Sequence, residues 1–177
     1  MSLLRRPYDH HRDLRARWHA ARPAIAQGLD AWCDYAEFAR RAARVAAWLG
    51  EQGVRPGDRV VSIMPNIPQT VIAMLATTSI GAIWASCSPD FGWRGVIDRS
   101  SQLTPKALFC VDGYRYGGKE FDRTAEMRQI VGALEGLDHV VTLPYLDPGR
   151  PQPYVPGALA WDEVVSGPPV PAGAFAF

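Results

Sequence analysis

The protein is a chain of 177 residues, of which 47% are hydrophobic and 21% charged, with a formal net charge of +1 at pH 7. This composition excludes a disordered or collagen-like chain, because the apolar side chains are numerous enough to fill the core of about one domain. The balance of 19 basic against 18 acidic residues excludes an overall positive field that would draw the protein onto nucleic acid or an anionic membrane.

Residues 1–30 form a first segment, in which residues 1–22 are rich in arginine but also hold two aspartates, Asp9 and Asp13. A transit peptide would be poorer in acid and richer in serine, so a solvated first helix is the better interpretation. The chain has no apolar secretory leader and no apolar run long enough to span a membrane. Its cysteines are odd in number and not closely spaced: Cys33, Cys87 and Cys110. We therefore expect a soluble, cytoplasmic protein in a reducing compartment.

Between residues 31 and 143, predicted helices and strands alternate. Helical spacing of apolar residues predicts a helix from Asp34 to Gly53. Short apolar runs predict strands, and periodic stretches between them predict helices. The predicted strands are 60–64, 82–87, 107–111 and 139–143, and the helices that separate them are 67–80, 93–103 and 121–134.

The helix predicted at 67–80 has two features of its own. Asn66 is predicted to cap it, with Pro68 in the first turn, where the missing proline donor costs nothing. The helix is apolar nearly all round, which predicts a position between two layers.

Alternating strands and helices of this kind are typical of an α/β fold. We predict a doubly wound, mainly parallel sheet with helices on both faces. Right-handed crossovers place every strand-to-helix turn along one edge of such a sheet, and ligands bind at that edge. A flavodoxin-like domain that binds a mononucleotide shares this order of elements and stays an alternative.

The composition of the chain changes in residues 144–177, which contain eight prolines and four glycines. Only 158–165 is predicted as a short helical turn. The segment is predicted to be a long surface connection, and a connection that leads nowhere suggests a truncated protein. The alternative is a frayed, proline-rich end of a complete small domain.

The stretch Gly113–Lys119 matches the first seven positions of the phosphate-loop pattern GxxxxGK. Glu120 stands where that loop needs a Ser or Thr for magnesium, and two tyrosines crowd a backbone that would have to wrap around phosphate. We therefore expect no true phosphate loop. Arg115 and Lys119 could still meet a phosphate as side-chain cations on a flexible edge loop, or be two solvated charges on an ordinary turn.

Other reactive residue types lack the neighbours that their chemistry needs. None of the four histidines lies at ligand spacing from cysteines or carboxylates, so no metal site is expected. Ser86 and Ser88 are not in the GxSxG turn of a nucleophilic serine. Cys87 is predicted to be a small core residue. The residues alone therefore predict no catalytic group.

The stretch Gly57–Gly92 resembles the N-terminal part of the adenylate-forming acyl-CoA synthetases, a family of AMP-dependent ligases. The resemblance runs from about residue 31 to residue 145. Several short motifs are similar to the acetoacetyl-CoA synthetases within that family: Cys87-Ser88-Pro89-Asp90-Phe91-Gly92, Asp98-Arg99, Pro105-Lys106 and Val111-Asp112-Gly113-Tyr114. The resemblance implies three parts of the chain: a divergent N-terminal segment (1–30), an α/β subdomain of the AMP-binding domain (31–143) and a connection that is truncated before the phosphate loop (144–177).

The resemblance also implies an activity for the intact enzyme. Such enzymes join acetoacetate to CoA with ATP and magnesium, through an acyl-adenylate, and release AMP and pyrophosphate. The loop and motifs that perform adenylation in this family would follow Phe177. This chain alone is therefore expected to be inactive, with no catalytic residue and no tightly held cofactor. A non-catalytic binding or assembly module that has kept the fold is the alternative, and the codons after Phe177 would distinguish the two.

A share of the CoA-binding surface is what the resemblance assigns to this chain. The turn Ser88-Pro89-Asp90 would run beside CoA, and Arg115 and Lys119 would lie near its phosphates. Tyr116 stands where a second arginine is expected. The implied partners are small molecules, namely a short acid such as acetoacetate and CoA, with no nucleic acid and no membrane. Self-association through surface left uncovered is also expected.

Overall fold

A five-stranded parallel sheet forms the centre of the protein in this computed structural model, which describes residues 35–168. The described residues from Ala36 onward belong to one compact unit. The predictions for residues 1–30, for the start of the first helix at Asp34 and for the last nine residues lie outside the described part of the chain.

Helices and strands alternate through the described residues, as the apolar pattern predicts. In chain order they are α1 (Tyr35–Glu51), β1 (Arg59–Ile63), α2 (Pro68–Ser79), β2 (Ile83–Cys87), α3 (Trp93–Ser101), β3 (Ala107–Val111), β4 (Gly113–Tyr116), β5 (Lys119–Asp122), α4 (Thr124–Ala133), β6 (His139–Leu143), β7 (Leu159–Ala160) and α5 (Trp161–Val165).

The strand order in the sheet is β2-β1-β3-β6-β7, and all four pairings are parallel. This confirms the predicted α/β fold with a mainly parallel sheet. From β1 the chain moves outward to β2 and then returns to the other side of β1 as β3. The order therefore reverses between β1 and β3, and the carboxyl ends of these strands flank the switch point at which open α/β sheets hold ligands.

Helices cover both faces of the sheet. On one face, α1, α2 and α5 pack against inward side chains such as Val60 and Phe109. On the other face, α3 and α4 pack against Val61 and Leu108. Adjacent residues of a strand point to opposite faces, so a strand buried on both sides has a continuous apolar run. This is why the strands lack alternation in the sequence.

The start of α2 differs from its prediction. Ile67, not Asn66, is the N-cap residue, and its side chain makes no capping hydrogen bond. Thr70 Oγ1 instead donates to the carbonyl oxygen of Pro65, at 2.6 Å. The prediction that α2 lies between layers is also wrong for the described part of the chain, because Val71 is 42% exposed.

The Pro- and Gly-rich segment after β6 contributes more to the core than a surface connection would. It supplies β7, which pairs with β6, and the short helix α5. Several of its side chains are buried: Tyr154, Val155, Ala158, Trp161 and Val164. Trp161 packs edge-on against Phe109, with ring centroids 6.1 Å apart. The chain therefore returns to the sheet after the loop that follows β6.

Candidate functional site

The predicted site residues all follow strands at the carboxyl edge of the sheet. The turn Ser88-Pro89-Asp90 follows β2, and the segment with Arg115 and Lys119 follows β3. Strand β1 lies between β2 and β3, so the two groups start about 10 Å apart along the edge, which is two strand spacings. The fold thus brings both predicted groups to one edge without putting them in direct contact.

The turn after β2 presents two exposed residues on a buried base. Ser88 and Asp90 are exposed, whereas Pro89 is buried. The Phe91 amide donates to the carbonyl oxygen of Ser88, at 3.2 Å, which closes the turn. The guanidinium of Arg99 lies 4.9 Å from the centre of the exposed Phe91 ring. This turn can therefore offer a hydroxyl, a carboxylate and an apolar ring to a ligand.

The two described cysteines do not have the environment of reactive thiols. Cys87 is partly buried, and burial raises its pKa, although Arg99 opposes the shift. Cys110 is fully buried in β3, and burial raises its pKa to about 12. Both thiols are therefore protonated near neutral pH, in keeping with the expectation that Cys87 is no nucleophile.

The GxxxxGK stretch forms a β-hairpin. Strands β4 and β5 pair antiparallel, with Tyr116 opposite Lys119 at the tip. Gly117 and Gly118 form the two-residue turn, with φ of +56° and +75°. This is the backbone of a type I′ turn, in which both central residues have positive φ. A phosphate loop leads directly into a helix, but here Lys119 begins a strand, which excludes that interpretation and makes the predicted flexible loop an ordered hairpin.

The hairpin separates the two predicted cations. Residues that face each other across a two-stranded ladder share one face, and sequence neighbours lie on opposite faces. Arg115 pairs with Glu120, whereas Lys119 pairs with Tyr116. Arg115 and Lys119 therefore lie on opposite faces of the hairpin and cannot act as one two-pronged clamp on a single phosphate.

Arg115 is held at three points although half of its side chain is exposed. Its Nε donates to Glu120 Oε1 at 2.9 Å, and its terminal nitrogen donates to the carbonyl oxygen of Leu146 at 3.2 Å. The guanidinium also lies 5.6 Å from the centre of the Tyr145 ring. The hydrogen bond to Glu120 is the main cause of a raised Arg115 pKa. The cation is thus fixed in direction and still open to solvent.

Lys119 occupies the other face in a different setting. It is exposed beside Tyr116, which is 77% exposed, and no ion pair involves it within residues 35–168. Below it on the same face, the rings of Tyr114 and Phe121 stack with centroids 4.8 Å apart and an interplanar angle of 11°. This stack lies below the tip of the hairpin, and Lys119 is a solvent-exposed charge at that tip.

Asp112 is the residue at this edge that the sequence does not reveal as part of a site. It is fully buried directly after β3. Its Oδ1 accepts the amides of Tyr145 and Leu146, both at 2.8 Å, and its Oδ2 accepts the amide of Asp147 at 3.1 Å. Arg150 Nε lies 3.4 Å from Oδ2. The sequence feature that could have singled out Asp112 is its position between a wholly apolar strand and a glycine. The groups that its carboxylate contacts lie more than thirty residues away in the chain, so the sequence does not show them.

The described residues contain neither a candidate metal-binding cluster nor a candidate membrane-spanning helix. Within residues 35–168, no group of three or more His, Cys, Asp or Glu side chains is placed to hold a metal ion. No helix in the same residues is long and apolar enough to cross a membrane.

Comparison with known proteins identifies relatives over most of the chain. The family described as AMP-binding enzyme matches residues 13–172. The acetoacetyl-CoA synthetase of Mus musculus is 46% identical over 114 residues, which are 64% of this chain and 17% of that protein. The acetoacetyl-coenzyme A synthetase of Rhizobium meliloti (strain 1021) is 43% identical over 125 residues, 70% of this chain and 19% of that protein. The chain thus spans less than a fifth of the length of these relatives.

Solved structures give the same result for the fold. The acetoacetyl-CoA synthetase from Streptomyces lividans superposes with a TM-score of 0.74 at 44% identity, over 82% of this chain and 22% of that one. The anthranilate CoA ligase AuaEII, in complex with anthranoyl-AMP, superposes with a TM-score of 0.61 at 18% identity, over 75% of this chain and 22% of that one. The second likeness concerns the fold alone.

Proposed function

This chain belongs to the AMP-binding enzyme family, and from that premise we propose that it supplies part of the CoA-binding edge of an AMP-forming acetoacetate–CoA ligase. The complete reaction converts acetoacetate, ATP and CoA into acetoacetyl-CoA, AMP and pyrophosphate. Magnesium serves the ATP step, and the enzyme acts in the cytoplasm. The residues of this chain bind CoA and perform none of the adenylation chemistry.

One observation carries the proposal. Relatives that are 43–46% identical over 112–125 residues are acetoacetyl-CoA synthetases in vertebrates and in a bacterium alike. Identity at this level over a continuous stretch supports a common ligand on the shared surface, not only a common fold.

The chemistry of the carboxyl edge agrees with CoA as the ligand. CoA carries a pyrophosphate and a separate 3′-phosphate, so it presents anionic groups at two places. Arg115 and Lys119 lie on opposite faces of the hairpin. We assign them to different phosphate groups, each through a charge-assisted hydrogen bond. The turn Ser88-Pro89-Asp90 lines the path of CoA on the other side of β1.

Glu120 competes with an incoming anion for the Arg115 guanidinium. The pair is exposed, with 51% of the Arg115 side chain and 59% of the Glu120 side chain accessible, so solvent screens it. A phosphate brings more negative charge than one carboxylate and can share the guanidinium or displace Glu120 from it. Arg115 therefore binds an incoming anion from an orientation that is already fixed.

Calorimetric titration of the chain with CoA tests the assignment. Arg115→Ala and Lys119→Ala should each raise the Kd roughly two- to fivefold, the size expected for exposed charge pairs. Because the two cations bind separate groups, their effects should multiply in the double variant. The matched control is Arg55→Ala, which removes an equal charge from the turn before β1, at the opposite edge of the sheet.

Two results would contradict the proposal. One is a folded wild-type chain that shows no heat of binding at millimolar CoA. The other is a pair of variants, Arg115→Ala and Lys119→Ala, whose Kd values equal that of the Arg55→Ala control.

A further inference from the structure

The fully buried carboxylate of Asp112 has no part in the contacts proposed for CoA. Burying a charge is costly unless hydrogen bonds and opposite charge compensate for it. Here three backbone amides and the guanidinium of Arg150 do so. The three amides belong to consecutive residues, Tyr145 to Asp147, so the carboxylate fixes the loop after β6 at three successive points.

The same loop holds the guanidinium of Arg115. The Leu146 carbonyl accepts a hydrogen bond from Arg115, and the Tyr145 ring lies under its cation. Tyr145 and Leu146 are therefore contacted from both sides, by Asp112 through their amides and by Arg115 through a carbonyl and a ring. Any movement of the loop away from Asp112 removes two of the three contacts that orient Arg115.

Asp112 also fixes the base of the hairpin that carries Arg115. Its carbonyl oxygen accepts the amide of Arg123 at 2.7 Å, immediately after β5. Its own amide donates to the carbonyl of Leu143 at 3.3 Å, at the end of β6. Both segments that position Arg115, the hairpin and the loop, are thus attached to this one residue.

We infer that Asp112 is a positioning residue for CoA binding, which orients the Arg115 guanidinium by holding the 145–147 loop with its carboxylate. The inference rests on the proposed function, in which Arg115 contacts a CoA phosphate. Asp112 itself is buried and touches no ligand.

An electrostatic role and a positioning role of Asp112 predict opposite changes in the Kd for CoA when the charge is removed. A carboxylate near an anion-binding cation weakens anion binding, so Asp112→Asn would tighten CoA binding if charge alone mattered. In the positioning role the variant weakens binding. An asparagine accepts hydrogen bonds through one oxygen only, and its NH2 group would meet an amide donor of the loop.

The experiment is a double-mutant cycle on the Kd for CoA. Asp112→Asn should raise the Kd roughly two- to fivefold in the wild-type background, no more than Arg115→Ala does, and leave it unchanged in the Arg115→Ala background, because the effect passes through Arg115. Asp98→Asn, an exposed acid on α3, is the matched control and should not raise the Kd. An Asp112→Asn protein that binds CoA as well as wild type, or that weakens the Arg115→Ala variant equally, overturns the inference.

A measurement without ligand separates this inference from the proposed function. In ¹⁵N NMR spectra, the Arg115 Nε–H should give a resolved and ordered signal in the wild type and lose that order in Asp112→Asn. If Arg115→Ala leaves the Kd unchanged while the NMR result holds, the proposed function fails and the positioning stands. If Arg115 remains ordered in folded Asp112→Asn, the positioning fails.

If Asp112→Asn does not fold, amide hydrogen exchange in the wild-type protein tests whether Asp112 holds the 145–147 loop. Hydrogen exchange of the Tyr145, Leu146 and Asp147 amides should be slowed at least a hundredfold relative to a free peptide. Exchange at the free-peptide rate would show that Asp112 holds no loop, which overturns the inference.

Discussion

Gly113 lies where the hairpin packs against the loop after β6. A Cβ built at this glycine would overlap the carbonyl oxygen of Phe121 and the Cδ1 atom of Leu146. One of these neighbours is backbone, which cannot move aside as a side-chain end can. The glycine that follows Asp112 is therefore a packing requirement of the same edge that carries the candidate site.

Gly113→Ala should lower the free energy of unfolding by about 1–3 kcal/mol, the cost of forcing atoms into a filled space. Urea denaturation followed by circular dichroism measures the change. Gly95→Ala in α3 is the matched control, because no atom outside the helix lies within 4 Å of its Cβ position. It should stabilise the protein by about 0.5–1 kcal/mol through helix propensity. Equal effects of the two substitutions would contradict the packing argument.

At the residue scale, the sequence reveals charged residues on the surface better than buried ones. Arg115 and Lys119 stand out because they occur in a glycine-rich stretch beside a strand. Asp112 does not, because its role depends on three amides that reach it only after the sheet has formed. The division of Arg115 and Lys119 between two faces likewise depends on the hairpin register.

The hairpin β4–β5 is the element for which local turn chemistry should matter most. Gly117 and Gly118 both have positive φ. Asparagine tolerates this region at the first turn position, whereas a β-branched residue does not. We expect Gly117→Asn to keep or raise the free energy of unfolding by about 0.5 kcal/mol, and Gly117→Val to lower it by about 1–2 kcal/mol.

Thermal melts of the two Gly117 variants, with two-dimensional NMR of the hairpin amides, provide the measurement. Gly117→Val should lose protection in β4 and β5 and keep it in β3. If Gly117→Val melts with wild-type cooperativity and keeps its hairpin amides protected, the turn assignment is wrong.

Predictability at the element scale depends on length and on competing patterns. Strands β3 and β6 have the predicted bounds, because each is a five-residue run in the interior of the sheet; β3 is wholly apolar, and β6 is apolar except for His139 and Thr142. The hairpin was not predicted, since its strands have four residues each and its Gly-Gly turn coincides with the GxxxxGK pattern. The following helix therefore begins at Thr124 and not near Phe121. Strand β7 has two residues, too few for any periodicity.

At the scale of the whole molecule, the sheet within residues 35–168 ends in β7 on one side and in the longer strand β2 on the other. The outer row of backbone groups of β2 has no described strand beside it, and its first residue, Ile83, is 51% exposed. An open edge with an exposed apolar side chain favours pairing with another chain. We therefore expect the 177-residue chain to self-associate as its concentration rises.

Sedimentation velocity over a range of concentrations tests this expectation. Ile83→Lys should reduce the association, because a lysine on an edge strand disfavours a second strand. Val71→Lys is the control, since it places the same charge at a similarly exposed residue on α2, away from the edge. A wild-type chain that stays monomeric throughout, or equal effects of the two lysines, would contradict edge pairing.

The strand order β2-β1-β3-β6-β7 also has a consequence for biosynthesis. Strand β1, which pairs with β2 on one side and with β3 on the other, is made early, but β3 ends roughly 50 residues later. At a translation rate of roughly 5–20 residues per second, β1 waits between about two and ten seconds on the ribosome before both of its edges can pair. During that interval the nascent chain exposes the β1 side chains Val60, Val61 and Ile63, which the folded protein buries. General chaperones that capture extended apolar peptides should bind it there, and their release should follow the emergence of Val111.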